Sequence, residues 1–318
     1  MTKFQDFVPD GVIPATLLIL NSDRSINDAA TQRHTKDCAL VEGVSAVTVN
    51  GHASEIHACT FDEQRQILDG TMDQLGDVCP VINGVYADGS QEAARIAKMA
   101  ERSGASALLI FPPNSMAMGG QLRPEMALEH FKQIANVTDL PLICFQYPMS
   151  TGLGYPFDTL LKLFEVVPTI RAIKDWSNDP MLHERHIKTF QALDKPVNVL
   201  TTHSSWLMAS LCMGAKGLLS GAGSVIVDLQ VQLFVAIQNK NMELAQKINE
   251  RIYPLVQSFY AHPFLDMHNR MKEALVMLGR IGEAHVRPPL MKLSDDELAN
   301  LEQAIEASRI KTEFEKSK

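Results

Sequence analysis

Short apolar runs alternate with longer amphipathic stretches along most of the chain. Each run has the length of a β-strand, and turn or helix-capping residues close most of them. Eight runs follow one another: Gly11–Leu20, Val44–Asn50, Cys79–Val85, Ser106–Pro112, Leu140–Tyr147, Thr169–Trp176, Val197–His203 and Lys216–Ala222. The pattern therefore predicts eight strands with helices between them.

The stretches between the runs carry helix signals. Ser90–Gly104 has an apolar stripe at helical spacing and ends at a glycine, and Thr60 precedes Glu63 by the three residues of a capping box. Prolines stand where a missing N–H costs little, near the first turns of three later helices: Pro124, Pro156 and Pro180.

Strands that are each followed by a helix must pair in parallel, because parallel neighbours need a long crossover. Eight such units close a (β/α)8 TIM barrel, which we place at residues 1–228. Residues 229–318 then hold the eighth barrel helix and C-terminal helices, and no linker composition separates these helices from the barrel. They are expected at Leu229–Gln238, Asn241–Ser258, His268–Gly279 and Ser294–Lys311. An open doubly wound sheet is the alternative, although no GxGxxG follows the first strand.

Composition narrows the function. The chain of 318 residues is 46% hydrophobic and carries a net charge of −8. These values are ordinary for a globular protein and disfavour nucleic acid or an anionic membrane as partner. No apolar run is long enough to span a bilayer, and the amino-terminal MTKFQDFVPDG has no apolar segment typical of export. We therefore expect a cytoplasmic protein.

The cysteines are odd in number and widely spread, and they form no CxxC or Cys/His pair at metal-ligand spacing. We expect all of them to be reduced and structural: Cys38, Cys59, Cys79, Cys144 and Cys212. Neither a metal nor an organic cofactor is expected, because the sequence shows no ligand cluster for one.

The sixth run, TIRAIKDW, carries the most informative side chain. Alternation along a strand puts Ala172 and Lys174 on one face, and Ile173 and Asp175 on the other. Active sites of TIM barrels lie at the C-terminal ends of the strands. A lysine there that points into the barrel loses hydration and part of its basicity, so its amine can attack a ketone. The alternative is that Lys174 points outward to solvent.

Other polar groups fall near strand ends. Phe145 and Tyr147 share a face of the fifth strand, and the Pro after Tyr147 favours extended backbone there. The small turn at residues 50–55 offers backbone N–H groups to a carboxylate, or is only a surface turn. Three histidines are possible acid/base groups or merely structural: His52, His57 and His203.

Taken in order, these residues resemble the dihydrodipicolinate synthase and N-acetylneuraminate lyase family of Schiff-base aldolases and dehydratases. Residues 51–55 (GHASE) match the family's GTTGE at its first and last positions, and residues 145–152 (FQYPMSTG) match YNxPxxTG at the proline, threonine and final glycine. Residues 173–174 match its IK, whose lysine forms the imine with pyruvate. Residues 214–217 (GAKG) and 287–290 (RPPL) resemble its GAxG and R-x-P-L segments.

The departures from the family are specific. Phe145 stands where the family has its proton-shuttling tyrosine, His52 and Ala53 replace the two threonines of GTTGE, and Ser150 stands where the synthase has a substrate-binding arginine. Pro113 or Asn114 replaces the tyrosine after the fourth strand. The resemblance therefore implies the family's imine chemistry without dihydrodipicolinate synthase activity.

The resulting hypothesis is a lyase that acts on a 2-oxo acid, such as pyruvate or a 2-keto-3-deoxy sugar acid, through an imine on Lys174. Tyr147 or His52 would move protons. The substrate would contact Gly51, Ala53, Ser54, Phe145, Asn114, Ser150 and Gly221. The resemblance implies a homotetramer or homodimer. A catalytically silent barrel that binds a keto or sugar acid is the alternative, and an imine-forming deaminase or hydrolase stays open.

Overall fold

In the computed structural model, which describes residue 4 and residues 7–315, eight strands form one parallel sheet. They are β1 Gly11–Pro14, β2 Val47–Val49, β3 Val81–Val85, β4 Ala107–Ile110, β5 Leu142–Gln146, β6 Ile170–Asp175, β7 Asn198–Thr201 and β8 Gly217–Ser220. Each pairs with its neighbour in the chain, and β1 pairs with β8. Single bridges from Val12 to Val44 and from Ala15 to Thr48 bring β1 and β2 together. The result is a nearly closed (β/α)8 barrel, as the alternating pattern predicted.

Eleven α-helices of four or more residues lie in the described part of the chain. They are α1 Asp28–Ala39, α2 Phe61–Leu75, α3 Ser90–Arg102, α4 Pro124–Ala135, α5 Phe157–Val166, α6 Pro180–Phe190, α7 Leu207–Cys212, α8 Gly223–Gln238, α9 Met242–Phe259, α10 Met267–Met277 and α11 Asp295–Ser308. All four helices expected after the eighth strand are present. Among the described residues, no helix is both long and apolar enough to cross a membrane.

Local chemistry explains where several helices begin and end. Thr60 and Glu63 form both hydrogen bonds of the capping box at the start of α2. After α3 the chain turns at Gly104, whose φ of 93° favours a residue without Cβ. Pro124 and Pro180 are the first residues of α4 and α6. The limits of the C-terminal helices differ from the expectation by up to six residues. The largest difference is at α8, which begins at Gly223 and not at Leu229 and has a kink at Ile226, whose backbone angles are not helical.

The C-terminal helices pack on the barrel, and a buried ion pair joins the two parts. Lys272 of α10 contacts the carboxylate of Glu55, which follows β2, and both side chains are 1% exposed. The ammonium of Lys272 also donates to the carbonyl of His285 at 2.8 Å, and the backbone N–H of Arg287 donates to Glu55 at 3.2 Å. A buried pair with further hydrogen bonds fixes orientation. It therefore holds α10 against the loop after β2.

The described structure contains no disulfide. All five cysteines are free, with Cys38, Cys79 and Cys144 buried and Cys212 exposed. Burial raises the pKa of the Cys79 thiol to about 11, as expected of a structural cysteine. The amino-terminal segment in which no export signal was found lies partly outside the described residues.

Candidate active site

Lys174 lies at the C-terminal end of β6 and points into the barrel. Its side chain is 4% exposed, and its Nζ lies 4.2 Å from the centre of the Phe145 ring, across the β5–β6 pair. Among the described residues, no carboxylate oxygen lies within ion-pairing distance of this Nζ. Desolvation by burial lowers the pKa of Lys174 to about 7. A large fraction of the amine is therefore neutral near pH 7.

Lys174 opens onto a small cavity at the end of the barrel. Its volume is about 30 Å³, which is enough for at least one water molecule. The lining combines residues from barrel strands, loops and the C-terminal region: Ala15, His52, Ala53, Phe145, Lys174, Trp176, Thr202, Gly221, Tyr260, Met267 and His268. The structure thus brings together five of the residues expected from the sequence, namely His52, Ala53, Phe145, Lys174 and Gly221.

One wall of the cavity comes from the C-terminal region, which sequence reasoning missed. The ring of His268 lies 5.3 Å from the ring of His52. A Cβ at Gly221 would stand 3.2 Å from Nε2 of His268, so the glycine makes room for this ring. Tyr260 accepts a hydrogen bond from the Ser204 hydroxyl at 3.1 Å. The only signal was the polar and aromatic segment at residues 260–270, without a motif to place it.

The two cavity histidines are held neutral. Burial, together with the positive charge of Lys174, lowers the pKa of His52 to about 3. Burial, with the charge on His52 next, lowers the pKa of His268 well below its ordinary value. A neutral imidazole can donate or accept a hydrogen bond, but one with so low a pKa is a weak general base. His57 is exposed and lies outside this cavity.

Tyr147 packs behind the cavity wall. Its ring lies 4.6 Å from that of Phe145, 5.4 Å from that of Trp176 and 6.5 Å from that of His52. The side chain is 8% exposed, and burial raises the pKa of its hydroxyl. It is not itself among the lining residues, although three residues that it contacts are. Tyr147 is therefore next to the cavity without lining it.

In the turn after β2, polar groups that the sequence offered to a substrate already bond to other groups of the chain. Gly51 precedes two short 3-10 helices, at His52–Ser54 and Ile56–Ala58. The Ser54 hydroxyl donates to the carbonyl of Thr16 at 2.7 Å, and its backbone N–H donates to the carbonyl of Gly51 at 3.1 Å. The polar groups of Ser54 are thus already used within the fold.

Four expected binding residues do not line the cavity: Gly51, Ser54, Asn114 and Ser150. Asn114 is exposed, and its amide bonds to the hydroxyl of Tyr86 while its backbone N–H bonds to Asp88. Ser150 is exposed in a short 3-10 helix. The linear sequence did not reveal that these two side chains would be exposed outside the cavity.

His203 lies just after the end of β7, as its position in the sequence indicated, but it does not line the cavity. It is 2% exposed and lies on the outer face of the sheet, where its Nε2 is 3.7 Å from Oδ1 of Asp175. His183 and His186 of α6 surround the same carboxylate. Their spacing of three residues puts them on one helix face. This spacing was the sequence signal for the cluster, and no prediction from the sequence used it.

Comparison with known proteins now identifies the scaffold. Residues 8–308 match the model of the dihydrodipicolinate synthetase family. The chain belongs to this family. An uncharacterised DapA-like lyase of Halobacterium salinarum is 28% identical over 295 residues, covering 92% of this chain and 91% of that protein. The 4-hydroxy-tetrahydrodipicolinate synthase of Haloarcula marismortui has the same identity and the same coverage.

Solved structures of the family share the fold. A prophage protein of E. coli from the dihydrodipicolinic acid synthase family, solved in complex with pyruvate, superposes with a TM-score of 0.86 at 21% identity. That match covers 94% of this chain and 98% of the other. Dihydrodipicolinate synthase from Aquifex aeolicus gives 0.84 at 22% identity, covering 95% and 98%. This protein is thus a divergent member of a family of barrel lyases.

Proposed function

We propose that this family member is a lyase that binds a 2-oxo acid covalently, as an imine on Lys174. The observation that carries the proposal is geometric. A lysine is buried at the C-terminal mouth of the barrel, against an aromatic ring and without a carboxylate partner among the described residues. Such a group is costly for stability, so its presence here favours a chemical role.

The reaction follows from this arrangement. The neutral amine attacks the ketone carbon, and the carbonyl oxygen leaves as water to give a protonated imine. That cation accepts the electron pair left when a proton leaves the neighbouring carbon. The enamine so formed adds to an aldehyde or expels a hydroxyl group from the next carbon. Water then releases the product and returns the amine of Lys174.

Tyr147 is the better supported of the two proton carriers. Tyr147 directly follows β5, and its ring lies 4.6 Å from the ring of Phe145, which itself contacts the Lys174 amine. His52 lines the cavity, but its low pKa suits it to hydrogen bonding with the substrate. The substrate carboxylate is placed against the turn at His52 and Ala53, facing Gly221.

We infer that the substrate is a pyruvate-type or 2-keto-3-deoxy acid and that the protein is not a dihydrodipicolinate synthase. Phe145 has no proton to move, and Ser150 offers no positive charge to a second carboxylate. Because the cavity is small, at about 30 Å³, we expect side chains in its wall to shift when a keto acid binds. Trp176 and Met267 are the large side chains that can do this.

The decisive experiment is borohydride trapping with pyruvate and with a panel of longer keto acids, followed by intact mass and peptide mapping. The expected result is one reduced adduct on Lys174. Lys272 is an internal control, because it is equally buried but paired with Glu55. Binding of the same acids by calorimetry without any adduct would instead establish the silent barrel.

A further inference from the structure

The outer face of β6 carries a buried cluster that the proposed reaction does not use. Asp175 is fully buried there, next to Lys174 in sequence but on the opposite face of the strand. Nδ1 of His183 lies 2.8 Å from Oδ2 of Asp175, and Nδ1 of His186 lies 2.7 Å from the same oxygen. His203, which follows β7, approaches the other oxygen, Oδ1.

The spacing of the donor atoms suits a shared cation. One atom each from Asp175, His183 and His203 lie within 4.8 Å of one another. Two ligands on one zinc ion, each about 2.0–2.2 Å from it, stand roughly 3–4 Å apart. The distance of 3.7 Å from Nε2 of His203 to Oδ1 of Asp175 is too long for a hydrogen bond but falls in that range. The 2.8 Å between Nδ1 of His183 and Oδ2 of Asp175 is a hydrogen-bond distance, so these two side chains must move slightly apart to hold an ion.

His203 gives an independent reason to look for a ligand. Its ring is stacked on Trp206 with a centroid distance of 4.1 Å, and its side chain is 1% exposed. Neither ring nitrogen has a hydrogen-bond partner in the described part of the chain. A buried polar atom without a partner costs free energy. Coordination by the Nε2 that faces Asp175 would remove that cost for this atom.

His183 is already oriented as a ligand. In this structure its Nδ1 hydrogen-bonds Oδ2 of Asp175 at 2.8 Å, and its Nε2 lies 2.6 Å from the hydroxyl of Ser210. Nε2 can therefore carry the proton when a cation takes the place of the hydrogen bond at Nδ1. His186 contacts the same carboxylate oxygen as His183, and its ring lies nearly parallel to the rings of Phe157 and Phe190, at 6.0 and 4.9 Å. The backbone N–H of Ser177 donates to Oδ1 at 2.8 Å. These contacts are the outer support that metal ligands usually have.

We propose that Asp175, His183 and His203 bind one zinc-class divalent ion on the outer face of the barrel. Two imidazoles and one carboxylate favour zinc or cobalt over calcium or magnesium. No lysine or arginine among the described residues pairs with Asp175, so the ion would also balance the buried carboxylate. The ion would tie β6 to the segment after β7, which contains the cavity residue Thr202, and so has a structural role.

The test is metal binding by the full chain without a histidine tag, after chelator treatment and dialysis. We expect one equivalent of Zn²⁺ by elemental analysis, and a visible Co²⁺ absorption of four- or five-coordinate type. Zn²⁺ should also raise the melting temperature. None of these measurements depends on activity, so failure of this proposal can be distinguished from failure of the proposed lyase function.

Variants separate this site from adventitious binding. His203→Phe keeps the stack on Trp206 but should weaken Co²⁺ binding roughly 100-fold or more. His183→Gln serves as a second ligand variant if that protein does not fold. His130→Gln is the matched control, because His130 is also buried but bonds to Ser90 outside the cluster, and it should bind normally. If the native chain binds well below one equivalent, or if both ligand variants match the control, the site is only a hydrogen-bonded network and the proposal is overturned.

Discussion

Lys174 and Asp175 are neighbours on opposite faces of β6. Their surroundings favour the neutral form of the lysine but the charged form of the aspartate. On the inner face Lys174 lies against the Phe145 ring, and burial lowers its pKa to about 7. On the outer face burial alone would raise the pKa of Asp175, but hydrogen bonds from His183 and His186 hold it well below its ordinary value. Both side chains are buried, so burial is not the difference between them. A buried charge left without partners favours its neutral, reactive form, whereas a buried charge that is fully surrounded is stabilised.

Lys272 gives the same lesson within the same barrel. It is buried like Lys174, but it contacts the carboxylate of Glu55 and donates to the carbonyl of His285. Its contacts join α10 to the loop after β2, so we assign it a structural role. Partners, and not residue type or burial, therefore separate the candidate nucleophile from the structural lysine.

Replacing Lys174 should have the largest effect on the comparison. Lys174→Met is expected to lower turnover by roughly 1,000-fold or more, about 4 kcal/mol of transition-state stabilisation, because no other lysine among the described residues lines the cavity. The measurements are steady-state kinetics and borohydride trapping. The free energy of unfolding should stay the same or rise, since methionine has no charge to desolvate. An adduct that persists in this variant would place the imine elsewhere.

Replacing Asp175 should affect stability instead. Asp175→Asn removes the negative charge that the three imidazoles face, and is expected to lower the free energy of unfolding by about 3 kcal/mol. Urea denaturation with chelator present measures this effect apart from any bound metal. If the free energy of unfolding of Asp175→Asn is not lower than that of the native chain, or is no lower than that of Lys174→Met, the distinction between the two faces of β6 is wrong.

Removing the phenol at Tyr147 should slow proton transfer without preventing imine formation. Tyr147→Phe is expected to reduce turnover roughly 100-fold, the usual contribution of one positioned acid or base. Trapping on Lys174 should continue at the native level. Full turnover in this variant would exclude Tyr147 as the proton carrier.

Replacing His52 should have the smallest effect. Because its pKa is about 3, the ring is neutral above about pH 4 and becomes charged only as the pH falls through about 3. His52→Gln, which keeps a hydrogen-bonding group, is expected to cost less than about tenfold in turnover. Its pH–rate profile between pH 5 and 9 should run parallel to the native one. If the variant's pH–rate profile lacks a rise or fall that the native profile shows between pH 5 and 9, His52 titrates during the reaction.

Much of the fold was readable from local pattern. Strand-length runs, the capping box at Thr60 and the glycine after α3 are decided by residues close in sequence, and the structure has all of them. The alternation of Lys174 and Asp175 was equally readable, because a strand of known direction has only two faces. The conformation of the loops could not be predicted in this way. Asn114 and Ser150 were expected at a cavity that they do not line.

The sequence by itself determined the order of strands and helices, the family resemblance and the position of Lys174 at a strand end. Only the tertiary structure decided what surrounds that amine and what surrounds its neighbour. Tyr260, Met267 and His268 reach the cavity from the C-terminal region, and His203 joins α6 around Asp175. These contacts join residues far apart in the chain, so no local periodicity encodes them, and they exist only once the barrel has closed.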